Sequence, residues 1–131
     1  MKRLTLILAV VCLTIVSCVP VSVNEPVQGD NTLIEYYVKY ASDALGVSNV
    51  SYTDVDGSNV NLTRISSDSF ERIVGPVTVG FAAQLSITPE STYGNVNARI
   101  EVKKGDSPFV VKTEDVSIGS GYGVTVSYTV K

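Results

Sequence analysis

The two residue types with the most distinctive chemistry near neutral pH, His and Cys, are absent from this 131-residue chain or confined to its start. The chain contains no His, and its two thiols, Cys12 and Cys18, both lie near its start. Histidine is the side chain that most often serves as a general base, and zinc sites are built mainly from Cys and His. The composition therefore excludes histidine-based catalysis and a Cys/His zinc site. Cys18 remains the side chain with the most distinctive chemistry.

The residues that precede Cys18 have the pattern of an export signal. Lys2 and Arg3 form a positive start, and 13 mainly apolar residues follow from 4 to 16. A helix that crosses a bilayer core needs about 20 apolar residues, so the shorter run matches the h-region of a secretory signal. Two alternatives stay open: an uncleaved anchor that extends to Val23, and secretion without lipid.

The four residues Ile15-Val16-Ser17-Cys18 resemble the bacterial lipobox, in which an aliphatic and a small residue stand at fixed positions before a Cys. The resemblance implies that diacylglycerol is transferred to the Cys18 thiol, that the chain is cut between Ser17 and Cys18, and that the new amine is acylated. A thiolate is the nucleophile that can take the lipid as a thioether. Cys12 is a poorer candidate, because bulky Val11 precedes it. Apart from this covalent lipid, no cofactor and no metal is expected.

Cleavage would divide the chain into a signal peptide at 1–17, a lipidated tether at 18–31 and a folded domain at 32–131. The tether contains two prolines and one glycine, and its 13 residues after Cys18, when extended, reach about 40 Å. Val19 stands where lipoproteins retained in the inner membrane of enteric bacteria have Asp. We therefore expect a lipid-anchored protein of the cell envelope, in the outer membrane, on its periplasmic or its surface face.

Net charge narrows the choice of partners. Loss of Lys2 and Arg3 leaves 8 basic and 13 acidic residues, a net charge of −5. An acidic domain repels phosphate backbones, so nucleic acid is not an expected partner. The chain has no polybasic run for anionic headgroups, so membrane attachment would depend on the acyl chains. The expected partners are the membrane, through the lipid, and a protein of the envelope, with a glycan as the alternative.

From residue 33 onward, apolar and polar residues alternate with a period of two, which predicts strands rather than helices. The longest run, 77–88, has six apolar positions in a row at this spacing. Asp56-Gly57 predicts a tight hairpin, and Gly75-Pro76 predicts a break or a bulge. The expected strands cover residues 34–40, 50–53, 59–63, 70–74, 77–88, 96–103, 109–113 and 124–131.

Seven or eight short strands, each with one apolar face, must form two sheets, because a single sheet would leave that face in water. The predicted fold is an all-β, antiparallel β-sandwich of immunoglobulin-like type. The Cys–Trp–Cys signature of antibody domains does not occur in the sequence. The predicted core therefore consists of Val, Ile, Leu, Phe and Tyr.

From residue 37 to residue 131, the order of the predicted strands and the residue pattern within them resemble the soluble domain of the MmpS family. The resemblance implies a membrane-tethered β-sandwich that accompanies a lipid-exporting RND pump. The chain departs from the family in two places, since the family keeps an uncleaved helix instead of a lipobox and often has Pro-Trp where this chain reads Asp68-Ser69-Phe70. The segments that carry the likeness are VSYTD (50–54), GFAAQLS (80–86), GNVNARI (94–100) and GYGVTVSY (121–128).

Three tyrosines are candidate ligand-binding residues. Tyr37 lies on the polar face of its strand, and Tyr93 and Tyr122 lie in loops. An exposed aromatic ring can stack on a sugar or anchor a partner protein. The alternative is that these are surface tyrosines without a specific role.

Two further motifs favour structure over chemistry. Asp54-x-Asp56-Gly57 departs from the EF-hand pattern, because Gly falls at position 4 and Ile65 at position 12. It predicts the hairpin and leaves open whether Asp54 and Asp56 bind calcium weakly. The alternating glycines at 119–123 precede a strand, whereas a phosphate-binding loop opens a helix. They predict a turn.

Enzymatic activity is not expected. A glycosidase needs two carboxylates facing each other across a cleft, and a small sandwich without long loops offers little cleft. The predicted function is that of a non-enzymatic, lipid-anchored module that binds a protein or assists transport. The alternatives are a surface carbohydrate-binding module and a structural or assembly subunit, in which the last strand, 123–131, pairs with a neighbour's sheet.

Overall fold

The computed structural model describes residues 33–91, 95–118 and 122–131. The predicted signal peptide, the tether 18–31 and the candidate residues Ser17, Cys18 and Tyr93 lie outside them. The described residues form eight strands and no helix, and hence none long enough to cross a membrane. The strands are β1 (Tyr36–Ser42), β2 (Gly46–Thr53), β3 (Asn59–Ser67), β4 (Phe70–Val77), β5 (Ala82–Pro89), β6 (Asn95–Lys104), β7 (Val110–Ile118) and β8 (Val124–Thr129).

The strands form two antiparallel sheets of four strands each, with the orders β4-β1-β6-β7 and β3-β2-β5-β8. The predicted all-β sandwich is therefore confirmed. The order β3-β2-β5-β8 corresponds to strands C′-C-F-G of an immunoglobulin variable domain, and the neighbours β4 and β1 correspond to E and B. The β6–β7 hairpin lies beside β1, in the place that strand A takes in that fold.

The core lies between the sheets and consists mostly of the alternating residues that the sequence predicted. Leu45 of the β1–β2 loop is also buried, whereas Ile34, predicted on the apolar face of the first strand, is 53% exposed. On β6, all four inward positions from Val96 to Val102 are at most 6% exposed. Tyr40 of β1 is fully buried, and its hydroxyl donates a 2.8 Å hydrogen bond to the carbonyl oxygen of Thr53. This bond satisfies the polar group that burial would otherwise leave unpaired.

The predicted single strand over 77–88 is wrong. β4 ends at Val77 and β5 begins at Ala82, so the alternation of Val79 and Phe81 continues across a turn. Gly80 has a φ of +94°, a conformation that side chains disfavour, and its N–H donates to the Val130 carbonyl oxygen at 2.8 Å. Val79 is 63% exposed. Six apolar residues at spacing two therefore do not guarantee one strand.

Other strand ends also differ from the prediction. β7 extends to Ile118 rather than to Thr113, and β2 begins at Gly46 rather than at Val50. β4 extends through Pro76 to Val77, and one extra residue of β4 bulges opposite β1, as Gly75-Pro76 indicated. At the start of β2, an interior strand, the inward residue is the polar Ser48, which is fully buried, and its apolar neighbour Val47 is 40% exposed. The usual alternation of apolar inward and polar outward residues is therefore reversed there.

The predicted hairpin at Asp56-Gly57 is confirmed. It joins β2 to β3, with Thr53 opposite Asn59. The turn closes through hydrogen bonds from the N–H of Gly57 to the Asp54 carbonyl oxygen, at 2.9 Å, and from the N–H of Asp54 to the Ser58 carbonyl oxygen, at 2.8 Å.

Candidate functional site

Tyr37 is half-buried rather than freely exposed. Its hydroxyl donates to Glu35 Oε2 at 2.9 Å, and Lys103 Nζ lies 4.8 Å from the centre of its ring. The hydrogen bond to Glu35 raises the pKa of the Tyr37 hydroxyl, with desolvation as a further cause. Part of the ring that could stack on a ligand is therefore already covered by an ammonium group of the chain itself.

Tyr122 is 75% exposed and lies far from Tyr37. The Ser117 hydroxyl donates to the Tyr122 carbonyl oxygen at 2.8 Å, and Ser117 pairs with Val96 at the start of β6. Tyr37 pairs with Lys103, near the other end of β6. Seven residues along a strand span about 23 Å, so the structure does not bring Tyr37 and Tyr122 into one site.

A cluster of charged side chains lies on the outer face of the β4-β1-β6-β7 sheet. Glu101 accepts from Lys39 Nζ on one oxygen, at 2.6 Å, and from Arg99 Nε on the other, at 2.7 Å. Arg99 continues to Asp43 in the β1–β2 loop, through a short contact to one oxygen and a 3.3 Å contact to the other. We call these four residues the outer-face ion cluster.

The electrostatics of the outer-face ion cluster hold both carboxyl groups in their charged form. Burial acts to raise the pKa of Glu101, but the hydrogen bonds from Lys39 and Arg99 outweigh it, and the net pKa is lowered. The hydrogen bond from Arg99 lowers the pKa of Asp43. A carboxyl group that stays ionised and is paired with cations is a poor proton donor. The cluster therefore has the properties of a structural contact that holds β1, β6 and the β1–β2 loop together.

A cleft of about 230 Å³ opens at one end of the sandwich, between the edges formed by β7 and β8. Tyr36 begins β1 at this end, and Val102 closes the inner wall. Most of the polar residues that line the cleft are lysines and tyrosines, which can bind a ligand. We call this feature the lysine cleft. Its polar lining includes Tyr36, Lys103, Lys104, Lys112, Tyr128 and Lys131.

The carboxylates of the β2–β3 turn are engaged by the turn itself. Asp54 Oδ1 accepts from the N–H of Val55 at 2.8 Å, and Asp56 Oδ1 accepts from the N–H of Ser58 at 2.9 Å. The hydrogen bonds from Ser58 lower the pKa of Asp56. Across residues 33–91, 95–118 and 122–131, no group of three or more acidic, Cys or His side chains could hold a metal ion.

Comparison with known proteins adds no relative: no family model matches the chain, and no curated protein matches it. Sequence reasoning missed the lysine cleft, because its four lysines come from three separate segments of the chain. A detectable signal was the pair of adjacent lysines, Lys103 and Lys104, at the end of a predicted strand.

Proposed function

We propose that this protein is a lipid-anchored, non-enzymatic β-sandwich module of the cell envelope that binds a partner protein, in a transport-accessory role. The lipobox at Ile15–Cys18 supports the anchor, and Val19 favours the outer membrane. The lack of histidine in the sequence supports binding rather than catalysis. The likeness to the MmpS family supports the accessory role.

The observation that carries the proposal is the exposure of aliphatic side chains on the edge strand β7. Val110, Val111 and Val116 are each about half exposed, and Ile118 is 73% exposed. In the part of the chain that the structure describes, the edge strands β3 and β8 have no large apolar residue of comparable exposure, and β4 has only Ile73. Exposed apolar residues gathered on one element are typical of a docking surface.

An edge strand can bind an extended segment by adding it to the sheet. Among the described residues β7 pairs only with β6, so its other edge is available for backbone hydrogen bonds. Lys112, Glu114 and Asp115 interrupt the aliphatic residues, and charges on an edge discourage pairing between identical copies. The partner we propose is therefore an extended, aliphatic-rich segment of another envelope protein.

Site-specific photocrosslinking in intact cells tests this proposal. A photoreactive residue at Val116 should give one discrete crosslinked product, whereas the same residue at Val55, which is 49% exposed in the β2–β3 turn, should give none. Val111→Lys, which adds a charge to the edge, should abolish the product at Val116. Equal products from both positions, or none from either, would reject β7 as the docking element.

The anchor is tested separately by intact mass and by lipid labelling with and without globomycin. The expected mature protein lacks residues 1–17 and gains lipid at Cys18, and Cys18→Ser should abolish both changes. Full-length chain with an unmodified thiol in the cytosol would contradict the anchor and leave the β7 experiment unaffected.

A carbohydrate-binding role is the second candidate, and the lysine cleft favours it. The separation of Tyr37 from Tyr122 argues against one platform built from both. An assembly role for β8 would use the edge that lies on the other sheet.

A further inference from the structure

We propose that the lysine cleft binds an anionic saccharide, as one sugar ring that carries a carboxylate or a phosphate group. The proposal does not depend on the lipid anchor, and the cleft shares Val110 and Lys112 with the β7 edge. It rests on the charge of the cleft, on its two tyrosines and on its size.

The cleft concentrates positive charge in an acidic domain. Residues 18–131 contain eight Lys and Arg, and four of these line this one cleft, which no Asp or Glu lines. Asp106 lies in the adjacent β6–β7 turn but is not part of the lining. Lysines that line one cleft without an Asp or Glu among them repel one another, and a bound anion relieves that repulsion.

These four lysines have no ion-pair partner among the described residues, unlike Lys39 and Arg99 on the same sheet. Lys39 and Arg99 each bind carboxylates in the outer-face ion cluster. In contrast, Lys104, Lys112 and Lys131 have no ion-pair partner within the residues that the structure describes. Lys103 Nζ lies over the Tyr37 and Phe109 rings, and these contacts do not neutralise its charge. The ammonium groups therefore remain available for an anion.

The tyrosines give the cleft a surface for a ring-shaped body. Tyr36 and Tyr128 are both half-buried and line the cleft, and Lys104 Nζ lies 5.9 Å from the centre of the Tyr36 ring. Neither hydroxyl has a hydrogen-bond partner in the described part of the chain, and each can donate to a sugar oxygen or accept from a sugar hydroxyl. Val102 and Val110 complete an apolar wall. An inorganic anion would use the lysines but would leave this apolar surface in water.

The volume of the cleft favours a single sugar ring over a longer ligand. Pockets for drug-sized molecules run from about 300 to 1,000 Å³, and this cleft holds about 230 Å³. One pyranose ring with its charged group matches such a volume, and the open side lets the rest of a saccharide chain extend into solvent. The cleft thus suits a terminal or side-branch residue.

Calorimetric titration of the mature lipoprotein in neutral detergent tests the proposal. Glucuronate or glucose 6-phosphate should bind at least tenfold more tightly than glucose, and the affinity should fall as salt rises. Lys112→Gln should weaken binding about tenfold, the loss expected for one hydrogen bond to a charged group. The matched control is Arg64→Gln, which removes one charge at a 77% exposed side chain on β3 and should leave the affinity unchanged.

The remaining outcomes decide against the saccharide. Inorganic phosphate that binds as tightly as glucose 6-phosphate would make the cleft a simple anion site. Binding to phosphatidylglycerol vesicles without binding to either anionic sugar would assign the lysines to a membrane. Equal losses of affinity in Lys112→Gln and Arg64→Gln would show that net charge alone is responsible.

The tyrosine surface is tested by Tyr128→Leu, which should weaken sugar binding. The midpoint of its urea denaturation shows whether the domain is still folded.

Discussion

Lys39 of β1 and Glu101 of β6 face each other across neighbouring strands, with 2.6 Å between the ammonium nitrogen and a carboxylate oxygen. Their side chains are only 18% and 10% exposed, although they lie on the outer face of the sheet. The Phe109 ring lies 4.9 Å from Lys39 Nζ and shields the pair. Removing one partner of an ion pair that is kept from water costs more than at an open surface, because the remaining charge is left buried and unpaired.

Glu101→Gln should destabilise the domain by about 1–3 kcal/mol, because Lys39 and Arg99 would each lose a charge-assisted hydrogen bond while still partly buried. Urea denaturation followed by circular dichroism measures this change. The matched control is Glu114→Gln, at a 46% exposed side chain that lies 3.9 Å from Arg99. Its expected cost is below about 0.5 kcal/mol. Equal costs for the two variants would contradict the role of the outer-face ion cluster.

Acid should weaken the same cluster. The pKa of Glu101 lies below its ordinary 4.5, and that of Asp43 below 3.8. A lowered pKa in the folded state gives stability that is complete above the unfolded pKa and is lost as pH falls through the folded one. The free energy of unfolding should therefore decline below about pH 4.5, and less steeply in Glu101→Gln. Urea titrations at pH 7, 5, 4 and 3 measure the two slopes, and parallel slopes would contradict the prediction.

The fold could be predicted where one face of a strand is buried. β6 alternates without a break from Val96 to Val102, because each inward residue meets the opposite sheet. The alternation failed at Val79, where apolar spacing continues through a turn that Gly80 creates. Strand ends are also hard to predict where the buried residue is polar, as Ser48 is near the start of β2.

The sites were harder to predict than the strands. The outer-face ion cluster requires knowing that β1 pairs with β6, strands that are separated by some sixty residues. The lysine cleft joins Tyr36 from β1 with Lys112 from β7 and Lys131 after β8. No local spacing encodes such neighbours, because strand order in a sandwich follows the packing of the whole chain. Exposure is equally non-local, as the partial burial of Tyr37 beneath Lys103 shows.

Gly75→Ala should destabilise the domain by about 3 kcal/mol or more. The residue has a φ of +141°, and a Cβ there would lie 2.8 Å from Tyr37 Cδ1 and 2.9 Å from the Tyr36 carbonyl oxygen. Gly80→Ala is the matched control, with a φ of +94° and no atom within 4 Å of the added carbon. Its expected cost is about 1–2 kcal/mol, from backbone strain alone. Thermal unfolding measures the loss of stability in both variants. A larger loss in Gly80→Ala than in Gly75→Ala would contradict the close approach at Gly75.

Tyr40→Phe should cost about 1–2 kcal/mol at pH 7, because it leaves the buried carbonyl oxygen of Thr53 without its hydrogen bond. Burial raises the pKa of Tyr40 well above its ordinary 10. A raised pKa gives stability that is complete below the unfolded pKa and is lost as pH rises through the folded one.

The free energy of unfolding of the wild type should therefore fall above about pH 10. Tyr40→Phe has no hydroxyl to ionise at this position, so the difference in unfolding free energy between the two proteins should shrink. Urea denaturation at pH 7, 9, 10.5 and 11 measures it. Tyr122→Phe, at a 75% exposed position, should match wild type at every pH. A difference between wild type and Tyr40→Phe that stays constant to pH 11 would mean that the Tyr40 hydroxyl ionises in the folded protein as readily as in water.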